Sequence, residues 1–372
     1  MAIGPRDLST LVVHTGWDAT ELEKLKLRDG TTIDAISQQM GVALGALSNE
    51  LTSGLWGSLI AEVTNDPTVS YRIGVSNGMQ RHTEYGRPDE QRAATEGHML
   101  PYQEWDRALG WTYDYLRRAR LADVEADIAD AIKDMRDKWR VEVLTRLLKR
   151  GDDSGEYYGL GTGGYSPGFA TAAASTNVDY TPVTYAGNAF DSDHEHYVGI
   201  SGGAFTAAVF TDAKAELREH GHEPGYNFIV GTAHETEIRA LTGFYPVAIT
   251  NVNYGNDTSL AAMSLMSDNM GVYPIGVIHD FTVYVVPGMP QYYGFGWKSY
   301  GQLAQRNPLA IRVDTDQTQL NAMAANDPRN GSPAHPLQYM MGMLNFGVGV
   351  KNRENGTARY VNNATWADGT PS

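Results

Sequence analysis

The sequence predicts an α+β fold. Leu121 to Arg150 carries one unbroken helical stripe, while several short segments elsewhere alternate apolar and polar residues as strands do. Helices and strands are mixed without the regular alternation of a doubly wound sheet, and no repeat of fixed period occurs.

Bulk properties bound the function. The chain has 372 residues, 42% hydrophobic and 20% charged, a globular balance that excludes disorder of the whole. That length allows two or three domain-sized units or one elongated subunit. A formal net charge of −15 repels phosphate backbones, so sequence-specific nucleic-acid binding is disfavoured. The same charge serves solubility, and it would let a surface face DNA without sticking to it. With no cysteine, disulfides, thiolate metal sites and cysteine nucleophiles are excluded. Met1 to Leu11 lacks the pattern of a secretory signal, and no apolar run is long enough for a membrane span.

Residues 1–30 read as a polar, loosely structured arm. Thr32 to Leu59 follows with Ile33, Ile36, Met40, Val42, Leu44, Leu47 and Leu51 at helical spacing. Val69, Tyr71, Ile73 and Val75 then alternate as a strand, Asn77-Gly78 signals a turn, and a charged tract runs from Gln80 to Arg92. A second extended piece lies near His98 to Pro101. Together these predict a long two-stranded excursion with a polar tip. It is too poor in apolar residues to make its own core, so a neighbouring subunit is a candidate support.

In Leu121 to Arg150 the stripe is Ile128, Ile132, Met135, Trp139, Val143 and Leu147. Acidic residues crowd its first half and Arg146, Lys149 and Arg150 its end, which suits the helix dipole, and Gly151 reads as the stop. Thirty residues make a rod of roughly 45 Å. Gly151 to Thr184 reads as loops and Ala204 to His220 as a helix closed by Gly221. Asn227 to Val230 is a strand, and Thr232 with Glu235 reads as a capping box. Val277 to Val286, Tyr292 to Tyr300 and Leu309 to Val313 are strand candidates. Leu344 to Val350 and Thr357 to Val361 flank Asn355-Gly356, a hairpin signal.

Few motifs carry chemistry. Gly159 to Gly164 fits G-x-G-x-x-G, but neither a strand before it nor a helix after it is predicted, so a loop is expected. There is no P-loop, no G-x-S-x-G and no H-E-x-x-H. Asp191 to His196 is the metal candidate, through His194 and His196. A catalytic zinc needs a third protein ligand, which His220, His222, Glu223, His234 or Glu235 could supply. The plainer expectation is local hydrogen bonding of these histidines at a turn or interface, with no metal and no cofactor. A metal-dependent hydrolase using His194 and His196 is the enzymatic alternative.

Several phrases together resemble the major capsid proteins of tailed bacteriophages, particularly those infecting actinobacteria. They are Gly97-His98-Met99-Leu100-Pro101 with Ala108-Leu109-Gly110-Trp111-Thr112; Phe190 to Tyr197, with His194 and His196, leading into Ser201-Gly202-Gly203; and His220-Gly221-His222 ahead of Phe228-Ile229-Val230. The resemblance covers nearly the whole chain. It implies an N-terminal arm over 1–62, an extended β loop over 63–110, and a peripheral domain over 111–226 built on a spine helix at about 121–150. An axial domain over 227–334 and a return to the peripheral domain over 335–372 follow.

It also implies a non-enzymatic subunit that forms hexamers and pentamers of an icosahedral shell around double-stranded DNA. Such a shell is a virion capsid assembled in the host bacterial cytoplasm, with a portal and possible scaffolding and decoration proteins as partners. An encapsulin-type compartment shell is the alternative within the same fold. Tyr71, Arg81, His82, Glu84, Arg87, Asp89 and Glu90 are then the expected inter-subunit contacts, against the plainer reading of a solvated loop tip. Some members weld their shells through a lysine in the extended loop. Here no lysine lies between Lys26 and Lys133, so no such bond from this loop is expected. The short stretch before the first helix leaves no room for a fused scaffolding segment, so a separate scaffolding protein, or none, is expected.

Overall fold

A computed structural model describes residues 26–73, 94–151, 167–169, 182, 185–186, 188–190, 194–246, 270–313, 321–325 and 337–372. Its architecture is α+β, with two main sheets, a separate two-stranded ribbon and one long helix among the described residues.

Helix α1 (Ile33–Leu51) and helix α2 (Gly54–Leu59) replace the single helix expected over 32–59. The break falls at Thr52-Ser53, where the Thr52 hydroxyl donates back to the Ser48 carbonyl (3.0 Å) and Gly54 adopts φ +58°. That left-handed backbone ends α1 and is tolerated because the residue is glycine. Strand β1 (Ile60–Thr64) follows directly.

The ribbon is β2 (Thr68–Ile73) paired antiparallel with β3 (Ala94–Met99), Tyr71 opposite Glu96. It joins neither main sheet. Among the described residues its base is tied to the body. Val69 packs with Leu100 and Ala310, the Leu100 N–H donates to the Pro67 carbonyl (2.8 Å), and Arg312 donates to the Leu100 carbonyl (3.0 Å).

The first sheet is built on one long strand, β13 (Leu337–Val350). It pairs antiparallel with β4 (Gln103–Thr112) and β12 (Asn321–Ala325) along its first part and with β11 (Leu309–Arg312) at its end; β11 also takes β1 in parallel. After helix α3 (Tyr113–Arg118), helix α4 (Leu121–Leu148) crosses this sheet. Buried Trp139 meets Phe346 of β13 with ring centroids 4.7 Å apart. At 28 residues, α4 is about 42 Å long.

The start of α4 is satisfied from two directions. Asp123 accepts the Arg120 N–H (2.9 Å), and Asp29, from ahead of α1, accepts the Leu121 N–H (2.8 Å). Its end comes before the expected Gly151. The buried Arg146 guanidinium donates to the Lys149 and Gly151 carbonyls (2.5 and 3.3 Å), turning the chain at Lys149 without a left-handed glycine. Arg136 clamps α1 through Glu50 (2.8 Å), and Arg107 of β4 pairs with Asp134.

The second sheet runs β5 (Tyr197–Gly199), β14 (Thr357–Tyr360), β10 (Tyr293–Lys298), β6 (Tyr226–Val230), β9 (Phe281–Val285), β8 (Tyr273–Ile278) and β7 (Tyr245–Pro246). Helix α5 (Ala207–Glu219) packs on it through Phe210 and Leu217, against Phe228 and Phe281. Three local expectations are corrected here. Val277 to Val286 is two strands of a hairpin, not one, because His279 and Asp280 both take positive φ (47° and 71°) in a two-residue turn.

Asn355-Gly356 is not a hairpin turn, since β13 and β14 belong to different sheets. Buried Asn355 instead donates to the Lys298 and Arg306 carbonyls (2.7 and 2.8 Å) and accepts the Lys298 N–H (2.8 Å), so its amide does fold-level work between segments. The Thr232 capping box does not form. The chain enters helix α6 (Glu235–Arg239) through a 3₁₀ turn at Thr232–His234 with Gly231 at the cap.

Candidate metal centre and extended ribbon

Helix α5 stops because Gly221 takes φ +78°, with its N–H on the Arg218 carbonyl (2.9 Å) and the His222 N–H on the Leu217 carbonyl (3.1 Å). This Schellman closure leaves Glu219 in the last helical position and His220 as the cap residue. Beside it runs the extended segment that enters β5. There the His196 carbonyl accepts the Ala358 N–H (2.8 Å), and Glu195 pairs with Arg150 just beyond the spine helix.

These two turns bring three imidazoles to one point. The Nε2 atoms of His194, His196 and His220 stand 3.0, 2.9 and 2.9 Å apart, while the ring centroids are 4.8–4.9 Å apart, so all three nitrogens face inward. Glu219 Oε1 lies 3.4 Å from His194 Nε2 and 3.8 Å from His220 Nε2. Among the described residues this is the one group of three or more such side chains placed to share an ion. His196 and His220 are buried, and Phe190 stacks on His220 (4.4 Å) and leans on His194 (4.7 Å), covering that flank.

The electrostatics favour neutral His196 and His220. Burial, reinforced by its two imidazole neighbours, holds His196 well below the usual histidine range. Burial, with His194 beside it, lowers His220 to about 3. Glu219 is pushed up to about 7 by burial, with Glu216 adding repulsion. His196 Nδ1 lies 2.7 Å from the Gly356 carbonyl, which can only accept; that nitrogen carries the hydrogen and Nε2 of neutral His196 offers a lone pair. A second contact of this kind orients metal-bound histidines. Three imidazoles and a carboxylate form a donor set suited to a borderline divalent ion.

Of the residues the sequence singled out, His194, His196 and His220 come together. His222 instead meets the Tyr300 hydroxyl (2.7 Å), His234 meets Glu237 (2.9 Å), and Glu235 accepts from Tyr273 (2.6 Å). Glu219 was missed by sequence reasoning; its place one residue before His220 at a glycine-closed helix end was the available signal. In the ribbon, Tyr71 sits in β2. Arg81, His82, Glu84, Arg87, Asp89 and Glu90 lie outside the described residues, as does the glycine run at 159–164.

No family model and no curated protein matches the sequence. Solved structures do. The chain is similar to one titled Mycobacterium phage Patience, with a TM-score of 0.61 and 19% identity over 93% of both chains. Lower likenesses are to the cyanophage Pam1 capsid asymmetric unit (TM-score 0.45, 12% identity, 82% of this chain and 89% of that one) and the mature capsid of bacteriophage PhiM1 (0.44, 10%, 80% and 82%). The likeness to the Mycobacterium phage structure is one of fold.

Proposed function

We propose that this chain is a structural shell subunit, the major capsid protein of a tailed bacteriophage, and acts by assembly, not catalysis. The observation that carries the reading is the ribbon. In a chain whose fold follows a phage structure over 93% of its length, β2 and β3 pair, among the described residues, with each other and with neither main sheet, and their base is tied to the body. An isolated two-stranded ribbon is marginal in water, so a surface beyond its own body is its natural support. A neighbouring copy in a closed lattice supplies one, and closure makes modest individual contacts cooperate.

On this reading, 1–62 is the arm, 63–110 the extended loop, 111–226 with 335–372 the peripheral domain on α4, and 227–334 the axial domain. Subunits form hexamers and pentamers of an icosahedral virion capsid assembled in the host cytoplasm. A portal and separate scaffolding or decoration proteins are its partners. The net charge of −15 suits an inner wall facing packaged double-stranded DNA. The test is isolation of particles from the natural source. Shells whose dominant protein is this chain and which protect double-stranded DNA from nuclease support the proposal. Shells filled with protein cargo would support the encapsulin-type alternative instead.

A further inference from the structure

The three imidazole nitrogens cannot satisfy one another. Each Nε2 either carries a hydrogen or does not, so among three at least two are alike. A like pair is lone pair against lone pair, or donor against donor, at 2.9–3.0 Å. No choice of tautomer or protonation removes this conflict. His196 and His220 are buried, where an unmet polar group is costly. A cation bonded to all three lone pairs removes it.

The spacing suits one. With metal–nitrogen bonds of about 2.0–2.1 Å, two ligands stand about 2.9 Å apart at a right angle and about 3.4 Å apart at the tetrahedral angle. The observed nitrogen separations lie at the first of these values; Glu219 Oε1 lies 3.4 Å from His194 Nε2, at the second, and 3.8 Å from His220 Nε2, still under twice the bond length, the widest separation two ligands of one ion can have. The site also sits at the C-terminal end of the 13-residue helix α5, where the helix dipole favours positive charge.

We propose that His194, His196 and His220, with Glu219 as fourth ligand, bind a divalent first-row transition ion, zinc in the first instance, as a structural clamp. Imidazole-rich donors select such ions over calcium or magnesium, which prefer all-oxygen shells. The clamp role follows from what the ligands join. His194 and His196 lead into β5, Glu219 and His220 end α5, and the Gly356 carbonyl that orients His196 precedes β14. Glu216, one turn earlier on α5, already reaches β14 through Arg359 (2.8 Å) and Thr357 (2.6 Å). The ion adds a second tie on the same joint. Phe190 covers one flank of the site.

The inference does not depend on the shell reading and is tested on the purified full chain. After incubation with zinc and desalting, elemental analysis is expected to find about one zinc per chain, and cobalt in its place should give a visible d–d spectrum. Chelator should lower the Tm by several degrees, with recovery on zinc but not on magnesium. His194→Gln, a change at the partly exposed ligand, should abolish retention and match the chelated wild type in Tm; Glu219→Gln should weaken retention. Wild-type protein that retains no zinc or cobalt and whose Tm ignores chelator would overturn the proposal, whatever the variants do. So would His194→Gln retaining zinc as the wild type does.

Discussion

His98 and Val350 meet across 252 residues, with the buried imidazole Nε2 2.7 Å from the Val350 carbonyl oxygen. His98 stands at the root of the ribbon in β3, and Val350 ends the long strand β13. The contact fixes where the ribbon leaves the body.

That contact predicts acid sensitivity. Burial above all, then Arg353, with smaller effects of Arg146 and Lys351, lowers His98 from 6.5 to about 3. In the unfolded chain it titrates at its ordinary value. Between those values the unfolded state binds a proton that the native state does not, so stability falls as pH drops from about 6.5 towards 3 and is unaffected by this group above that window. Denaturant melts of His98→Gln, which keeps a donor for the carbonyl, should show a shallower loss of stability over that window than wild type. An unchanged slope would remove His98 from the account.

The spine predicts a large core effect. Trp139 is fully buried between α4 and β13, beside Phe346. Trp139→Ala should destabilise the subunit by about 3–5 kcal/mol, read by urea denaturation. A loss below about 1 kcal/mol would mean that α4 does not rely on this joint.

The loop tip makes a contrasting prediction. If these residues contact a neighbouring copy as proposed, reversing Arg81 and Arg87 to Glu should sharply reduce particle yield yet leave subunit stability within about 0.5 kcal/mol. Normal particle yield from the double variant would remove these residues from the inter-subunit contacts.

The regular elements were legible because their periodicity is local. The α4 stripe, centred on Ile128, Ile132, Met135 and Trp139, needed only the 3.6-residue period, and all four are buried. The ribbon was readable from the alternation around Val69 and Tyr71. What local signals could not reveal were uses set by distant partners. Asn355 reads as a turn residue, but its amide is spent on Lys298 and Arg306. The His279-Asp280 turn lacks glycine, and Asp280 is held in place from outside the hairpin, by Lys214 and through its carbonyl by the Tyr226 N–H. The histidine cluster was half visible. His194 and His196 stood out as a pair, whereas Glu219 and His220 reach them only through the packing of α5 against β14.

On the proposed function, this chain assembles with copies of itself. Negative-stain electron microscopy of the purified chain tests it most directly. Closed shells tens of nanometres across, or rings of five or six subunits on the way to them, are the expected result. A homogeneous monomer at every concentration, with the ribbon strands 68–73 and 94–99 protected from hydrogen exchange by its own body, would contradict it.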